Sequence, residues 1–256
     1  MSIFIASLAS GSNGNCYYIG NDHEAILVDA GISCRETEQR MNRLGLSIRK
    51  VRAVFISHEH TDHTRGAEVI SRKFRIPVYM TAATHSNSRL WLEPELLKFF
   101  TPYAPVQFGD LTVNAFPKRH DASEPQSFTV EGDGITVGVF TDIGITCEHV
   151  ARHLKKCHAA FLEANYDEKM LEEGNYPVYL KKRIRGDEGH LSNRQALELF
   201  TNFSSPFIRL LILSHLSAHN NDPKIVKDLF TKHAGGVRIV VASRYQESEV
   251  FTIGER

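Results

Sequence analysis

The chain has 256 residues, 42% of them hydrophobic, which is enough for a large α/β domain that buries its own core without disulfide staples. With 30 basic and 30 acidic residues the formal net charge is zero, which excludes a global field drawing the protein to nucleic acid or an anionic membrane. Cys16, Cys34, Cys147 and Cys157 form no C-x-x-C pair, and the N-terminal apolar run is too short, and lacks the basic flank, for a signal peptide or a membrane span. We therefore expect a cytoplasmic protein with reduced thiols and no membrane partner.

In chain order, "SIFIASLA", "CYYIG" and "AILVDAG" are apolar runs of strand length, the first two joined by the loop "SGSNGN". "SCRETEQRMNRLG" predicts a helix opened by Ser33 and ended near Gly45. The strand "VRAVFISH" follows, then a helical pattern "TRGAEVISRKF" and the strand "IPVYMT". In "LTVNAFP" and "QSFTVEGDGITVGVFTD" the pair Asp133-Gly134 marks a hairpin. Helical "TCEHVARHLKK", "SNRQALELFTNF" and "DPKIVKDLFTKHAGG", with Ser192 and Asp222 as caps and Pro223 at a first helical position, alternate with the strands "AAFLEAN", "FIRLLILSH" and "VRIVVASRY". Early hairpins followed by strand–helix alternation predict an α/β protein of mixed sheets with helices on their outer faces. No linker or low-complexity tract divides the chain, so residues 1–256 are expected to form one domain.

Five of these strands end in a histidine or an acid: Asp29, His58, Asp142, Glu163 and His215. That is the edge where α/β sheets carry their ligands. "AVFISH" and "LLILSH" also echo one another, which suggests that the two halves are related copies. The densest stretch is "HEHTDH", residues 58–63. In a short loop leaving a strand, His58 and His60 face one way while Asp62 and His63 turn to the other, so two pairs imply two metals. Glu59 and Thr61 are spacers, and Glu59 is expected to face solvent. His120, Asp142 and His215 each follow a strand and are placed to complete the set. An imidazole and carboxylate donor set suits Zn²⁺ and tolerates Mn²⁺ or Fe²⁺.

The ordered set Asp29, "HEHTDH", His120, Asp142 and His215 resembles the motif series of the metallo-β-lactamase superfamily. The resemblance implies a four-layer αββα sandwich. His58, His60 and His120 would hold one metal, Asp62, His63 and His215 the other, with Asp142 bridging. Asp29 would fix the histidine-rich loop without touching a metal. "LASGSNGNCYYI", "GHLSNRQALELF" and "LSHLSAHNNDP" further resemble the YycJ/WalJ (VicX) branch, bacterial cytoplasmic proteins associated with 5′-to-3′ exonuclease activity on DNA. "GHLSN" is also similar to the His-Ser-Thr motif of tRNA 3′-processing endonucleases, although here Leu191 follows the histidine. That likeness gives His190 a role in phosphoryl transfer.

The implied reaction is attack of a metal-bridging hydroxide on phosphorus, with Asp62 orienting the nucleophile and His190 donating a hydrogen bond. Lys181, Lys182, Arg183 and Arg185 precede His190 and are candidate contacts to backbone phosphates, with Lys118 and Arg119 beside His120 as additions. The "SGSNGN" loop offers Gly11 and Gly14 for close approach to phosphate, and Ser10, Ser12 and Asn15 as hydrogen-bonding groups. Competing readings are a tRNA-processing-type endoribonuclease, a small-molecule metallohydrolase (cyclic phosphodiesterase, thioesterase or lactonase), and a regulator linked to a two-component system.

Overall fold

The computed structural model describes residues 2–254. Strands β1 (Ile3–Ala9), β2 (Cys16–Gly20), β3 (Ala25–Val28), β4 (Val51–Phe55), β5 (Val78–Met80) and β6 (Leu97–Phe99) lie side by side in chain order. The second sheet runs β7 (Val106–Phe108), β8 (Leu111–Pro117), β9 (Gln126–Gly132), β10 (Ile135–Phe140), β11 (Ala159–Glu163), β12 (Leu210–Ser214), β13 (Arg238–Val241). A last strand, β14 (Phe251–Ile253), returns to the first sheet beside β1. Each sheet has an antiparallel half, ending at β3 or β10, and a parallel half beyond it. Asp133 (φ 51°) and Gly134 (φ 74°) make the two-residue turn between β9 and β10, as their sequence predicts.

Alternating apolar positions give each sheet two buried faces. Ile5, Tyr17, Phe55, Phe128, Phe161 and Ile212 fill the space between the sheets. There Phe55 meets Phe128 at 5.7 Å and Tyr17 meets Phe161 at 4.8 Å across the interface. Helices α1 (Cys34–Arg43), α2 (Thr61–Thr64), α3 (Ala67–Phe74) and α4 (Ala82–Asn87) belong to the first half. Met41 of α1 and Ile70 of α3 pack on the outer face of the first sheet. In the second half come α5 (Glu148–Leu154), α6 (Glu168–Glu173), α7 (Val178–Arg185), α8 (Asn193–Phe203) and α9 (Pro223–Thr231). Leu154, Phe200 and Phe230, from α5, α8 and α9, cover the second sheet. The layers are thus αββα, as the resemblance implies. No helix among the described residues is long and apolar enough to cross a membrane.

Two expectations need correction. The single helix read in "TRGAEVISRKF" is broken at Gly66, whose N–H donates to Ala30 O at 2.7 Å and where a Cβ would lie 2.1 Å from Ile32 O. The chain must dock there before α3 can start. The halves do share a wiring, a meander of three strands in the first and four in the second followed by parallel strands, but the Ser-His echo falls on unlike strands. β4 adjoins its meander, whereas β12 is one strand further out. The matched pair is Asp29 and Asp142, each following the last meander strand with positive φ (61° and 54°).

Candidate metal centre

The loop after β4 is shaped from below by a carboxylate. Asp29, fully buried, accepts from Ser57 N–H at 2.8 Å, from Ser57 Oγ–H at 3.0 Å and from His63 Nδ1–H at 2.7 Å. It therefore grips both ends of the histidine-rich stretch. One turn of helix, α2, then carries Asp62 and His63 and brings the His63 ring back to 4.1 Å from that of His58. Asn15, from the "SGSNGN" loop, supports this turn: its Nδ2 lies 3.4 Å from Asp62 Oδ2 and 3.1 Å from His63 Nε2. Its backbone N–H donates to Asp62 O at 2.8 Å. Gly31 makes that approach possible, since a Cβ there would fall 1.6 Å from the same carbonyl.

The structure brings all seven expected ligands together. Donor atoms of His58, His60 and His120 lie within 4.8 Å of one another, and so do those of Asp62, His63 and His215. Asp142 sits between the groups, with Oδ2 at 3.2 Å from His63 Nε2 and Oδ1 at 3.8 Å from His120 Nε2 and 3.4 Å from His215 Nδ1. Outer nitrogens are turned away and held: His58 Nδ1 is 2.9 Å from Ser57 Oγ, His120 Nδ1 3.1 Å from Gly189 O, His215 Nδ1 3.1 Å from Glu163 Oε1. Fixing one ring nitrogen leaves the other aimed inward.

These residues fit divalent cations. His120 Nε2, Asp142 Oδ2 and His215 Nε2 are buried with no hydrogen-bond partner among the described residues, a costly state for polar atoms unless something else binds them. The electrostatics agree. Burial opposes ionisation of Asp62 and Asp142, yet His63 and His215 hold both carboxyls below the usual carboxylate range. Burial likewise disfavours protonated His63 and His215, but Asp142 and its neighbouring carboxylates reverse this, lifting His63 well above its ordinary value and His215 to about 10. Burial, aided by nearby cationic groups, takes His58 well down and His120 to about 4. The carboxylates thus favour positive charge at this position, which bound cations would supply.

Glu163 was only a strand-ending acid in the sequence, with no role assigned. It is fully buried and accepts from His190 Nδ1–H at 2.7 Å, from Ile143 N–H at 2.7 Å and from Leu191 N–H at 3.2 Å, in addition to its contact with His215. Burial alone would raise its pKa, but His190 and His215 bring it down to about 2. His190, 21% exposed, faces the cluster with its ring 5.3 Å from His120 and 5.2 Å from His215.

Several peripheral assignments change. Glu59 is half-buried and clamps the neighbouring loop, accepting from Ser123 N–H at 2.8 Å and Oγ–H at 2.9 Å, so it does not simply face solvent. Ser10 Oγ accepts from His215 N–H at 2.7 Å, so Ser10 and Asn15 buttress the centre and are not free for phosphate. Lys118 is buried against Thr141 O at 2.7 Å. In the basic run, Lys181 bonds Glu172 O at 2.5 Å, Arg183 bonds Asp121 at 2.5 Å and Arg185 bonds the Glu172 carboxylate. Lys182 alone of the four has no such partner among the described residues.

Residues 24–216 match the Beta-lactamase superfamily domain. The chain belongs to that superfamily. Over 236 residues it is 33% identical to a Bacillus anthracis protein named exodeoxyribonuclease YycJ, covering 89% of this chain and 87% of that one. It is 31% identical over 225 residues to exodeoxyribonuclease WalJ of Streptococcus pneumoniae, covering 84% and 81% of the two chains. Among solved structures, the metallo-β-lactamase fold protein YhfI of Bacillus subtilis superposes with a TM-score of 0.75 at 14% identity, over 98% of this chain and all of that one, which speaks for the fold alone. The protein is accordingly a metal-dependent hydrolase of the YycJ/WalJ branch of the metallo-β-lactamase superfamily.

Proposed function

We propose that the protein is a dinuclear phosphodiesterase that degrades DNA in the cytoplasm as a 5′-to-3′ exonuclease, with Zn²⁺ or Mn²⁺ (Fe²⁺ also suiting the donors) held by His58, His60 and His120 and by Asp62, His63 and His215, and with Asp142 between them. The observation that carries this reading is the His190–Glu163 pair at the rim of the cluster. A histidine held by a buried carboxylate at 2.7 Å, outside the His58–His60–His120 and Asp62–His63–His215 sets but with its donor atom within 4.8 Å of those of Asp142, Glu163 and His215, is the arrangement a proton donor to a leaving oxygen requires. The exodeoxyribonuclease names of relatives at 33% and 31% identity support DNA as the substrate.

When bound, divalent cations supply charge to a phosphate and lower the pKa of water. The chain's own residues do the rest. Asp62 is only partly buried, so its carboxylate can both serve the cluster and orient an incoming water. Glu163 accepts from His190 Nδ1–H at 2.7 Å and so fixes the ring, leaving Nε2 as the atom that would donate to the departing oxygen. Lys182 offers the free charge for a flanking phosphate; Arg183 and Arg185 would have to leave their carboxylates to join it.

The test is cleavage of end-labelled single- and double-stranded DNA, RNA and bis(p-nitrophenyl) phosphate by metal-reconstituted protein. Wild type should shorten DNA from one end, His60→Ala and Asp142→Ala should be inactive, and Glu163→Gln should lose about a hundredfold in kcat with KM little changed. Hydrolysis confined to RNA or to thioester and lactone panels, with DNA untouched, would overturn the proposal.

A further inference from the structure

We infer that the cleft between the loops after β12 and β13 is a stacking subsite for one nucleobase of the strand whose phosphate lies at the metal centre, with Tyr245 as its platform. The inference rests on the nucleic-acid reading above. The cleft has a volume of about 280 Å³ and is bounded by Ser10, Leu216, Ala218, Asn221, Arg244 and Tyr245. It adjoins the centre directly: Leu216 follows His215 in the chain, and Ser10 Oγ holds the His215 N–H at 2.7 Å.

Tyr245 stands on a loop that the fold takes trouble to fix. Arg40, buried, donates to Tyr245 O at 3.2 Å and to Leu8 O at 2.6 Å. Arg43 grips Glu247 with two bonds of 2.6 and 2.8 Å, and Ser7 and Ser248 pair through 2.9 and 3.0 Å bonds. The Tyr245 N–H is itself tied to Ser243 Oγ at 3.1 Å. Yet the residue is 81% exposed, more than any other large apolar or aromatic residue described as exposed. A pinned backbone that displays an aromatic ring to solvent contributes nothing to packing and is preorganised for a flat partner.

The walls decide what kind of partner. Asn221 spends its amide on Ala164 O at 2.8 Å and on Asn193, so the side-chain amide that borders the cleft among the described residues is not free to read the edge of a base. What remains is an apolar floor at Leu216 and Ala218, the Tyr245 ring, and Arg244, which commits Nη2 to Leu216 O at 2.6 Å and keeps further N–H groups on its guanidinium. An aromatic face beside a cation binds any base by stacking and prefers none.

The experiment pairs enzyme and substrate changes. DNA oligonucleotides carry one abasic residue at each of the first three positions from the degraded end, and kcat/KM is measured for wild type, Tyr245→Ala and Tyr245→Phe. At one position the abasic residue should cost wild type about tenfold, Tyr245→Ala should lose about tenfold on intact DNA, and the two losses should not add. Tyr245→Phe should keep the wild-type discrimination, and exchanging the four bases at that position should change little. Equal rates for wild type and Tyr245→Ala on intact DNA, or fully additive losses, would overturn the subsite while leaving the nuclease reading intact. A wild type that ignores DNA but hydrolyses bis(p-nitrophenyl) phosphate would overturn both.

Discussion

Asp29 never reaches the donor cluster, yet three bonds from its carboxylate set where Ser57 and His63 stand. Replacing it with Asn keeps the shape but offers an amide where His63 Nδ1–H needs an acceptor. Asp29→Asn should therefore weaken metal affinity by roughly 10- to 100-fold, measured by competition with a chromogenic chelator; unchanged affinity would show that the loop holds its own shape. The seven candidate ligands and Asp29 were all legible in the sequence, because each follows a strand or sits in one dense motif. Glu163 was half legible: it ends a strand like the others, but its partners His190 and His215 lie 27 and 52 residues away, and nothing local announces them. Asn15 and Ser10 were misjudged for the same reason. A Gly- and Ser-rich turn reads as a phosphate loop until the fold brings Asp62, His63 and His215 against it.

Strands and capped helices were legible because their signals are local. Ser192 supports α8 with a full capping box, and Pro223 opens α9, as read. The break at Gly66 was not legible, since it arises from docking against Ala30 and Ile32. Helix α5 carries a further consequence of packing. His153 lies flat on Phe116, with centroids 3.8 Å apart, and its buried Nδ1 has no hydrogen-bond partner among the described residues. Burial, with Lys156 and Arg152 adding to it, lowers its pKa from 6.5 to about 4. Between those values the unfolded chain takes up a proton that the folded one refuses, so the folded state loses stability as pH falls from about 6.5 towards 4. His153→Phe should lose less melting temperature than wild type between pH 7 and pH 5; parallel losses would place the acid sensitivity elsewhere.

At the scale of the molecule, the candidate ligands come from both sheets: His58, His60, Asp62 and His63 follow β4, while His120, Asp142 and His215 follow β8, β10 and β12. Cations bound there would favour the folded state by mass action, about 4 kcal/mol when free metal exceeds Kd a thousandfold. Chelation should then lower the melting temperature by on the order of 10 °C, restored by Zn²⁺ or Mn²⁺ in calorimetry. An unchanged melting temperature in chelator would contradict this. The division of donors has a consequence for how the chain can be taken apart. Neither half carries a complete set for either group together with Asp142, so affinity for metal is a property of the docked pair, and a chain opened in the exposed turn at Thr101–Pro105 keeps its chemistry only while the two halves hold together.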